Sequence, residues 1–390
     1  MKSIPLSELS DYERISIAKH YGNPEVLLEF AKAKSEELRN AVATNPNVTA
    51  EVLKELMEDS SLKVRLAVAK NPVADVDTLK VLSKDKNAYV RNAVANHTNA
   101  SEEIIAVLAD DESKAVRLSV ASRDDLSDTI IEKLVLDKEV EVIIKILPKL
   151  KMTEENLAKI SLSEHFSIRS KVVQYEKTPA TILTAMRNDK NWQIRRGVAK
   201  HANTTIETLE ILAEDVDDDV REAVARNSNT TSEILELLAA DNNTNVREAV
   251  AAHANTTVDT LKILAEDIEC SVKVNVAENP NVTLEILDIL AKDKNFKVRE
   301  SVAKHEKLSE EIIDLLSKDD DGDVKVAIAS RDNLNPNILE LLSRDEDWEV
   351  REAVANNSNT DEKILIKLLV FDDDCDVQNA ARETLREVMS

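Results

Sequence analysis

Apolar and polar positions recur along this chain with a period of 26 residues. The stretch Asp217 to Asn242 is copied almost position for position in Asn243 to Ile268. Within the first copy, Val220, Ala223 and Val224 fall at i, i+3 and i+4, which predicts a short helix with one apolar stripe. Positions are numbered 1 to 26 within each copy, so that Val220 occupies position 4.

A second short helix follows within the same copy. The run Asn227 to Thr230 is a polar turn, because Asn and Ser side chains hydrogen-bond the nearby backbone. Thr231 is predicted to cap the second helix, and Glu233 places a negative charge near its positive end. The buried stripe of this helix is predicted to be Ile234, Leu235, Leu238 and Ala239. Isolated helices shorter than about 12–15 residues are marginal in water, so neighbouring copies must stack. The pattern therefore predicts an all-α fold, an α-solenoid.

The register divides the chain into three parts. Residues 1–34 are predicted to be a degenerate N-terminal capping repeat, and residues 35–372 an array of thirteen 26-residue, two-helix repeats. One extra residue enters near Phe371, and residues 373–390 are predicted to form a C-terminal capping helix. We expect one continuous solenoid. Position 4 of the array is always apolar: Leu38, Val64, Val90, Val116, Val142, Ile168, Ile194, Val220, Val246, Val272, Val298, Val324 and Val350.

Two charged columns accompany the apolar ones. Position 5 is Arg or Lys in every repeat of the array except that of residues 139–164, and position 25 is Asp in most repeats, as in Asp241 and Asp267. Each such Asp precedes the Arg of the next repeat by six residues, as Asp241 precedes Arg247. We expect Asp–Arg pairs and capping bonds across the inter-repeat turn, because charge-assisted hydrogen bonds fix geometry well.

The repeat resembles a known family. The pattern V-R-x-A-V-A-x-N-x-N-T-x-x-E-I-L-x-x-L-A-x-D, seen from Val220 to Asp241, resembles the leucine-rich repeat variant family, whose α-helical solenoid is related in architecture to HEAT and armadillo repeats. Trp192 and Trp348 stand three residues after the closing Asp, which matches the D-x-x-W-x-V-R junction of that family. The resemblance covers residues 35–372 and implies an interaction scaffold with no particular reaction.

Charge and composition narrow the class of partner. The formal net charge is -24, from 75 acidic and 51 basic residues. This charge disfavours nucleic acid and anionic membranes, which bind basic surfaces. No segment approaches the roughly 18 apolar residues of a membrane span, and no signal peptide stands out, so we expect a cytoplasmic protein. The two cysteines, Cys270 and Cys375, are far apart in sequence and suggest no disulfide framework.

One repeat departs from the pattern, that of residues 139–164. Ile143 replaces the Arg of position 5, and Ser163 replaces the Asp of position 25, so that both junctions of this repeat are expected to lack their pairs. An excess of apolar residues marks a binding surface when it is exposed, so Ile143 and Ile144 are candidate partner contacts, with the nearby aromatics Phe166 and Tyr175. The alternative is a degenerate repeat that bends the solenoid and buries these residues. Phe166 shares its repeat position with Trp192, Phe296 and Trp348, which favours a packing role.

No metal or cofactor is expected from the sequence. Four histidines, His97, His201, His253 and His305, share position 11 with several asparagines. Histidines two repeats apart are separated by about 16–20 Å, since packed helices lie about 8–10 Å apart, and one zinc ion cannot bridge them. A hydrogen-bonding role at the end of the first helix is therefore favoured. No nucleophile or phosphate-loop motif stands out.

These observations favour a non-enzymatic scaffold that binds a protein or peptide partner on an extended acidic surface. Glu222, Glu248, Glu300 and Glu352 share position 6 and are the candidate acidic stripe, which would attract a basic partner. One alternative is a HEAT-like nucleic-acid-binding protein or DNA glycosylase, which would need a cationic groove. Another is an accessory or chaperone solenoid for a different enzyme, which the sequence does not separate from the first reading.

Overall fold

The computed structural model describes residues 8–388, which contain 29 α-helices and no strand. The chain divides into two compact units, one ending at Val172 and the other beginning at Val173. Both units are built from repeats of two helices, as the 26-residue period predicts. The all-α solenoid class is confirmed.

In the unit that ends at Val172, each repeat contributes a first and a second helix. The first helices are Asp11–His20, Glu36–Ala43, Leu62–Lys70, Ala88–Ala95, Lys114–Ser122 and Val140–Ile146. The second helices are Pro24–Ala31, Ala50–Leu56, Val76–Leu82, Glu102–Leu108, Asp128–Leu134 and Glu154–Ser161. A short 3₁₀ turn, Leu147–Lys149, follows the helix of the irregular repeat, where Pro148 stands. The helix Phe166–Gln174 contains the boundary between the units.

The second unit continues the same alternation. Its first helices are Trp192–Lys200, Asp218–Ala225, Thr244–Ala252, Cys270–Glu278, Phe296–Lys304, Gly322–Ala329, Trp348–Asn356 and the terminal helix Cys375–Val388. Its second helices are Ala180–Met186, Ile206–Leu212, Ser232–Leu238, Val258–Leu264, Leu284–Leu290, Glu310–Leu316, Pro336–Leu342 and Glu362–Phe371. Within each unit, successive first helices pack closely, whereas most successive second helices lie farther apart.

The core of a repeat comes from the predicted apolar positions. In the repeat of residues 217–242, Val220 and Val224 of the first helix and Leu235 of the second are completely buried. A side chain of this size stabilises by about 1.5–3 kcal/mol when it is fully buried. Because every repeat presents the same positions, the stripes of neighbouring repeats form a continuous core within each unit.

The Arg and Asp columns form a buried ladder, and its pairing differs from the expectation. The predicted partner of Arg247 was Asp241, six residues earlier. Instead, Nε and Nη2 of Arg247 donate to the carboxylate of Asp267, twenty residues later in the same repeat, at 2.6 and 3.0 Å. Asp241 contributes only its backbone carbonyl, which accepts from Nη1 at 2.9 Å. The forked guanidinium therefore bonds the ends of two repeats at once, and we call this arrangement the guanidinium ladder.

The guanidinium ladder recurs in both units with small variations. The same two-point contact joins Arg39 to Asp59 and Arg221 to Asp241. Lys325 makes a single bond to Asp345 at 2.7 Å, because an ammonium group has no fork. Arg351 reaches Asp372, which lies 21 residues away instead of 20. The extra residue near Phe371 is therefore absorbed within the long helix Glu362–Phe371, and the ladder is kept.

Burial and hydrogen bonding shift the pKa of the ladder carboxylates in opposite directions. Burial raises the pKa of Asp267. A larger opposite effect comes from three neighbours that lower this pKa: the guanidinium of Arg247, the backbone N–H of Glu269 and the charge of Lys273. The net effect holds the pKa of Asp267 below its ordinary value. Asp241 follows the same balance with Arg221, so these groups are ionised in the folded protein at neutral pH.

Position 11 forms a second ladder at the turn between the two helices. Nδ2 of Asn227 donates to the carbonyls of Ala199 and His201 in the preceding repeat, at 2.6 and 3.2 Å. His253 takes the same place, with Nε2 lying 3.0 Å from the carbonyl of Asn227 and Nδ1 accepting from the N–H of Asn255. His97 and His201 make the same contact with the preceding repeat, so these three histidines replace asparagine as bridges between repeats.

Candidate partner-binding surfaces

The irregular repeat of residues 139–164 buries one of its two candidate residues. Ile143 is only 1% exposed, so it is not available to a partner, and its inclusion in the candidate surface is corrected. It lies on the buried side of the helix Val140–Ile146, where the other repeats place the aliphatic part of the ladder Arg. Ile144, the next residue, turns outward and is 54% exposed.

The two substitutions in this repeat remove one ladder pair rather than leaving two junctions unpaired. Position 5 pairs with position 25 of the same repeat, so Ile143 and Ser163 stand where the two partners of a single pair would be. The following junction keeps its backbone bonds, since Nη1 of Arg169 donates to the carbonyls of Ser163 and Glu164. A surface pocket of about 570 Å³ lies beside Ile143 and is also lined by Leu162.

The two aromatic candidates occupy different kinds of position. Phe166 begins the helix Phe166–Gln174 and is partly exposed. Tyr175 is half-buried and lies at position 11, in the column of the bridging Asn and His residues. Its carbonyl oxygen lies 3.0 Å from Nε2 of His201, which joins it to the next repeat.

The four candidate glutamates lie on the first helices and are half-buried. Glu222 pairs with Arg226 at 2.7 Å, and Glu300 pairs with Lys304 at 2.5 Å, each within its own helix. Glu248 and Glu352 form no ion pair with any residue between 8 and 388. Valines occupy position 6 in the repeats between them, so the candidate stripe is interrupted rather than continuous.

Two of these glutamates line adjoining grooves between successive first helices. One groove contains Glu300 and Asp323, the other contains Glu352 and Trp348, and the two share Val326, Ser330 and Asp332. Their volumes are about 670 and 500 Å³ respectively. We call the pair of grooves the acidic groove, defined by Glu300, Asp323, Asp332, Trp348 and Glu352.

The cations at the acidic groove are already engaged. Arg331 uses Nη1 to donate to the carbonyls of Ala303 and His305, at 2.7 and 2.5 Å. Burial lowers the pKa of this guanidinium from its ordinary value. Lys304 is held by Glu300, so Asp323, Asp332 and Glu352 remain without an ion pair among the described residues. Trp348, which is 40% exposed, gives the groove an aromatic wall.

Three neighbouring side chains near the C-terminal helix have atoms of the kind that bind metal ions. Donor atoms of Asp374, Cys375 and Asp376 lie within 4.8 Å of one another, but two of these residues are exposed, and exposed acidic groups often cluster without a metal. Between residues 8 and 388, helices are too short and too polar to cross a membrane.

A column of exposed aliphatic residues was missed by the sequence reasoning. Position 21 lies on the second helix, and in six consecutive repeats its side chain is between 41% and 63% exposed: Ile211, Leu237, Ile263, Ile289, Leu315 and Leu341. The signal was present in the sequence, because Leu237 lies outside the stripe of Ile234, Leu235 and Leu238. An apolar residue that recurs off the buried stripe of a short helix marks a second, outward apolar row.

Comparison with known proteins finds the expected resemblance among solved structures. No protein-family model and no curated protein matches the chain. The chain is similar to a leucine-rich repeat variant with a novel repetitive structural motif, at 20% identity over 70% of this chain and 87% of that one, with a TM-score of 0.25. It is also similar to yeast importin-beta, at 12% identity over 98% of this chain and 63% of that one, with a TM-score of 0.33. The chain thus spans less than two thirds of importin-beta. The first of these structures is of the kind that the repeat pattern was predicted to resemble.

Proposed function

We propose that this chain is a non-enzymatic scaffold that binds a protein or peptide partner carrying basic side chains. The observation that supports it best is the acidic groove, in which Asp332 and Glu352 line the part beside the ring of Trp348 and Asp323 lines the adjoining part. Glu222 and Glu248 lie on first helices earlier in the same unit, with Val274 at position 6 between them and the groove.

The groove suits a lysine or arginine side chain. Carboxylates supply charge-assisted hydrogen bonds to an ammonium or guanidinium group. An aromatic face attracts the same cation by about 0.5–2 kcal/mol, depending on how far it is desolvated. Nucleic acid is disfavoured at this surface, because its phosphates would meet carboxylates and because Arg331 and Lys304 are engaged by the protein itself.

Charge removal within the groove tests the proposal. The full chain is titrated against a fluorescein-labelled peptide of five Lys-Ser-Gly units, and binding is followed by fluorescence anisotropy at low and high salt. The variant Asp332→Asn/Glu352→Gln is expected to bind about 2- to 30-fold more weakly, since exposed ion pairs contribute about 0.2–1 kcal/mol each. Trp348→Ala is expected to weaken binding as well.

The matched control is Glu55→Gln/Glu58→Gln. These two exposed glutamates lie in the unit that ends at Val172, and their replacement changes the net charge by the same amount. It is expected to leave the affinity nearly unchanged. Equal losses in the two variants would show that the peptide senses only the overall charge of the chain, and the proposed site would be rejected.

A further inference from the structure

The second helices between residues 206 and 268 carry an apolar row on their outer side. Ile211, Leu237 and Ile263 occupy position 21 in three consecutive repeats and are 48%, 54% and 63% exposed. The turns after the first and third of these helices add Val216 and Ile268, which are almost fully exposed. Exposed apolar residues that line up in this way are typical of interaction surfaces rather than of scattered surface side chains.

Stacking of the repeats does not require apolar residues at this position. In five other repeats of the same chain, position 21 is occupied by Glu55, Lys133, Lys159, Ala185 and Lys367, and in two more it is occupied by Val81 and Val107, which are also exposed. All of these repeats form the same pair of helices. The fold therefore does not require an aliphatic residue at position 21.

Carboxylates surround the row in this part of the chain. Positions 17, 20 and 24 of the three repeats carry seven acidic residues: Glu207, Glu210, Glu214, Glu233, Glu236, Asp259 and Glu266. The single cation at these positions is Lys262, which pairs with Glu285 of the next repeat at 3.1 Å. Farther along, the carboxylates of position 20 are neutralised within their own repeats by Lys292, Lys318 and Arg344, which lie just after the helix ends. The row and the unneutralised charge thus coincide only between residues 206 and 268, and we call this region the acidic-aliphatic patch.

The negative charge of the patch indicates which kind of partner can cover it. A second copy of the chain, docked through the same patch, would place carboxylates against carboxylates, and an anionic membrane would be repelled as well. A partner that covers the row must supply aliphatic side chains along its centre and cations at its edges. A helix meets this requirement without leaving backbone groups unbonded against the aliphatic row, whereas an extended strand would do so.

The geometry points to a docking surface for a basic amphipathic helix. Closely packed helices lie about 8–10 Å apart, and the second helices lie farther apart than the first helices, so their spacing is at or above this range. Because a helix rises about 1.5 Å per residue, one aliphatic residue in about every seven of the partner would meet one repeat. Three repeats would then engage a helix of about 12–20 residues. The inference rests on the proposed function, that the chain is a scaffold for basic partners, but it places this partner on the second helices rather than in the acidic groove.

The test uses the full chain and a defined synthetic peptide. The probe is an acetylated and amidated 21-residue helix with leucine along one face and lysine or arginine elsewhere, and the control peptide has the same composition in scrambled order. The variant Ile211→Ser/Leu237→Ser/Ile263→Ser is expected to raise the Kd of the probe at least about tenfold. The matched control Ile289→Ser/Leu315→Ser/Leu341→Ser alters the same column where the charge is neutralised, and is expected to change the Kd less than about threefold. Circular dichroism checks that both variants remain helical.

Every other outcome decides against the patch in a distinguishable way. Equal binding of the scrambled peptide, or equal losses in the two variants, would show that no specific row is recognised. Loss of binding in Asp332→Asn/Glu352→Gln but not in the patch variant would leave the proposed function standing and overturn the inference. A dimer that the patch substitutions dissociate in sedimentation velocity would assign the row to a second copy. Flotation of the unaltered chain, but not of the variant, with phosphatidylcholine vesicles would assign it to a lipid surface. If the helical probe does not bind the unaltered chain but the Lys-Ser-Gly peptide does, the inference alone fails. If neither the helical probe nor the Lys-Ser-Gly peptide binds it, the proposal and the inference fail together.

Discussion

Replacing Arg247 by alanine should destabilise its unit by about 3–5 kcal/mol, far more than a surface ion pair would. The estimate follows from what the substitution leaves behind. Removing one partner of a buried pair strands the other charge, and such losses are about 3–5 kcal/mol, whereas exposed pairs contribute about 0–1 kcal/mol.

Arg247 and Asp267 form a buried pair, so the larger loss applies to them. The side chains of Arg247 and Asp267 are 12% and 8% exposed. Alanine would remove two bonds to the carboxylate and two weaker ones to the carbonyls of Asp241 and Asn242, at 2.9 and 3.3 Å. Asp267 would keep only the backbone N–H of Glu269 among these partners, at 2.9 Å.

A double substitution separates pairing from packing. The chain already contains a repeat in which Ile143 and Ser163 replace both partners. We therefore expect Arg247→Ile/Asp267→Ser to be less destabilising than the sum of the two single changes by at least about 2 kcal/mol, because no charge remains buried alone. Conversely, Ile143→Arg/Ser163→Asp should be better tolerated than Ile143→Arg alone.

The assay is urea unfolding followed by circular dichroism, together with amide hydrogen exchange in the repeats on either side. Exchange is needed because stacked repeats do not always unfold in one step, and a single midpoint then has no simple meaning. Leu235→Ala is the reference variant for the loss of stability, since it opens a core cavity and should lower the free energy of unfolding by about 2–5 kcal/mol. A loss below about 1 kcal/mol for Arg247→Ala, with protection unchanged, would refute the view that the ladder is buried in solution.

Two further predictions concern the other polar columns. His253→Asn should change stability by less than about 1 kcal/mol, because asparagine makes the same bridge elsewhere. His253→Leu should cost about 1–3 kcal/mol, because it removes the bonds of the imidazole to the carbonyl of Asn227 and from the N–H of Asn255, each of which contributes about 0.5–1.5 kcal/mol. Thermal melts compare the two variants, and equal losses would contradict the bridging role. The ladder carboxylates, such as Asp241 and Asp267, have a lowered pKa in the folded state, so their stabilisation is complete above the unfolded pKa of about 3.9 and is lost as the pH falls through the lower folded pKa. Urea midpoints that do not fall between pH 5 and pH 2 would argue against this linkage.

Sequence reasoning located the helices and the core well, because both depend on local periodicity. The predicted stripe of Ile234, Leu235 and Leu238 is buried as expected. The ladder pairing was predicted less well. Sequence separations show that Asp241 precedes Arg247 by six residues, but they do not show that the guanidinium takes the carbonyl of that residue and the carboxylate of Asp267. Two acceptors compete for one forked donor, and only the folded geometry decides between them.

The candidate surface was harder to predict for a related reason. Ile143 and Ile144 are both apolar neighbours in sequence, yet the helix turns by about 100° between them, so one is buried and the other exposed. The glutamates of position 6 are placed on one side of the first helices, but Arg226 and Lys304 neutralise two of them. Net charge counted along the sequence therefore overstates the acidity that a partner would meet.

Variation between the repeats of one chain separates what the fold needs from what it only tolerates. Position 5 changes only between Arg and Lys wherever a position 25 carboxylate faces it, and it becomes Ile143 in the repeat where that carboxylate is Ser163. Position 21 ranges from Glu55 to Lys133 to Ile263 without altering the helices around it. A buried column is thus restricted by its partner, whereas an exposed column is free to follow function. The run of aliphatic residues at position 21 is therefore better explained by an external partner than by the stability of the solenoid.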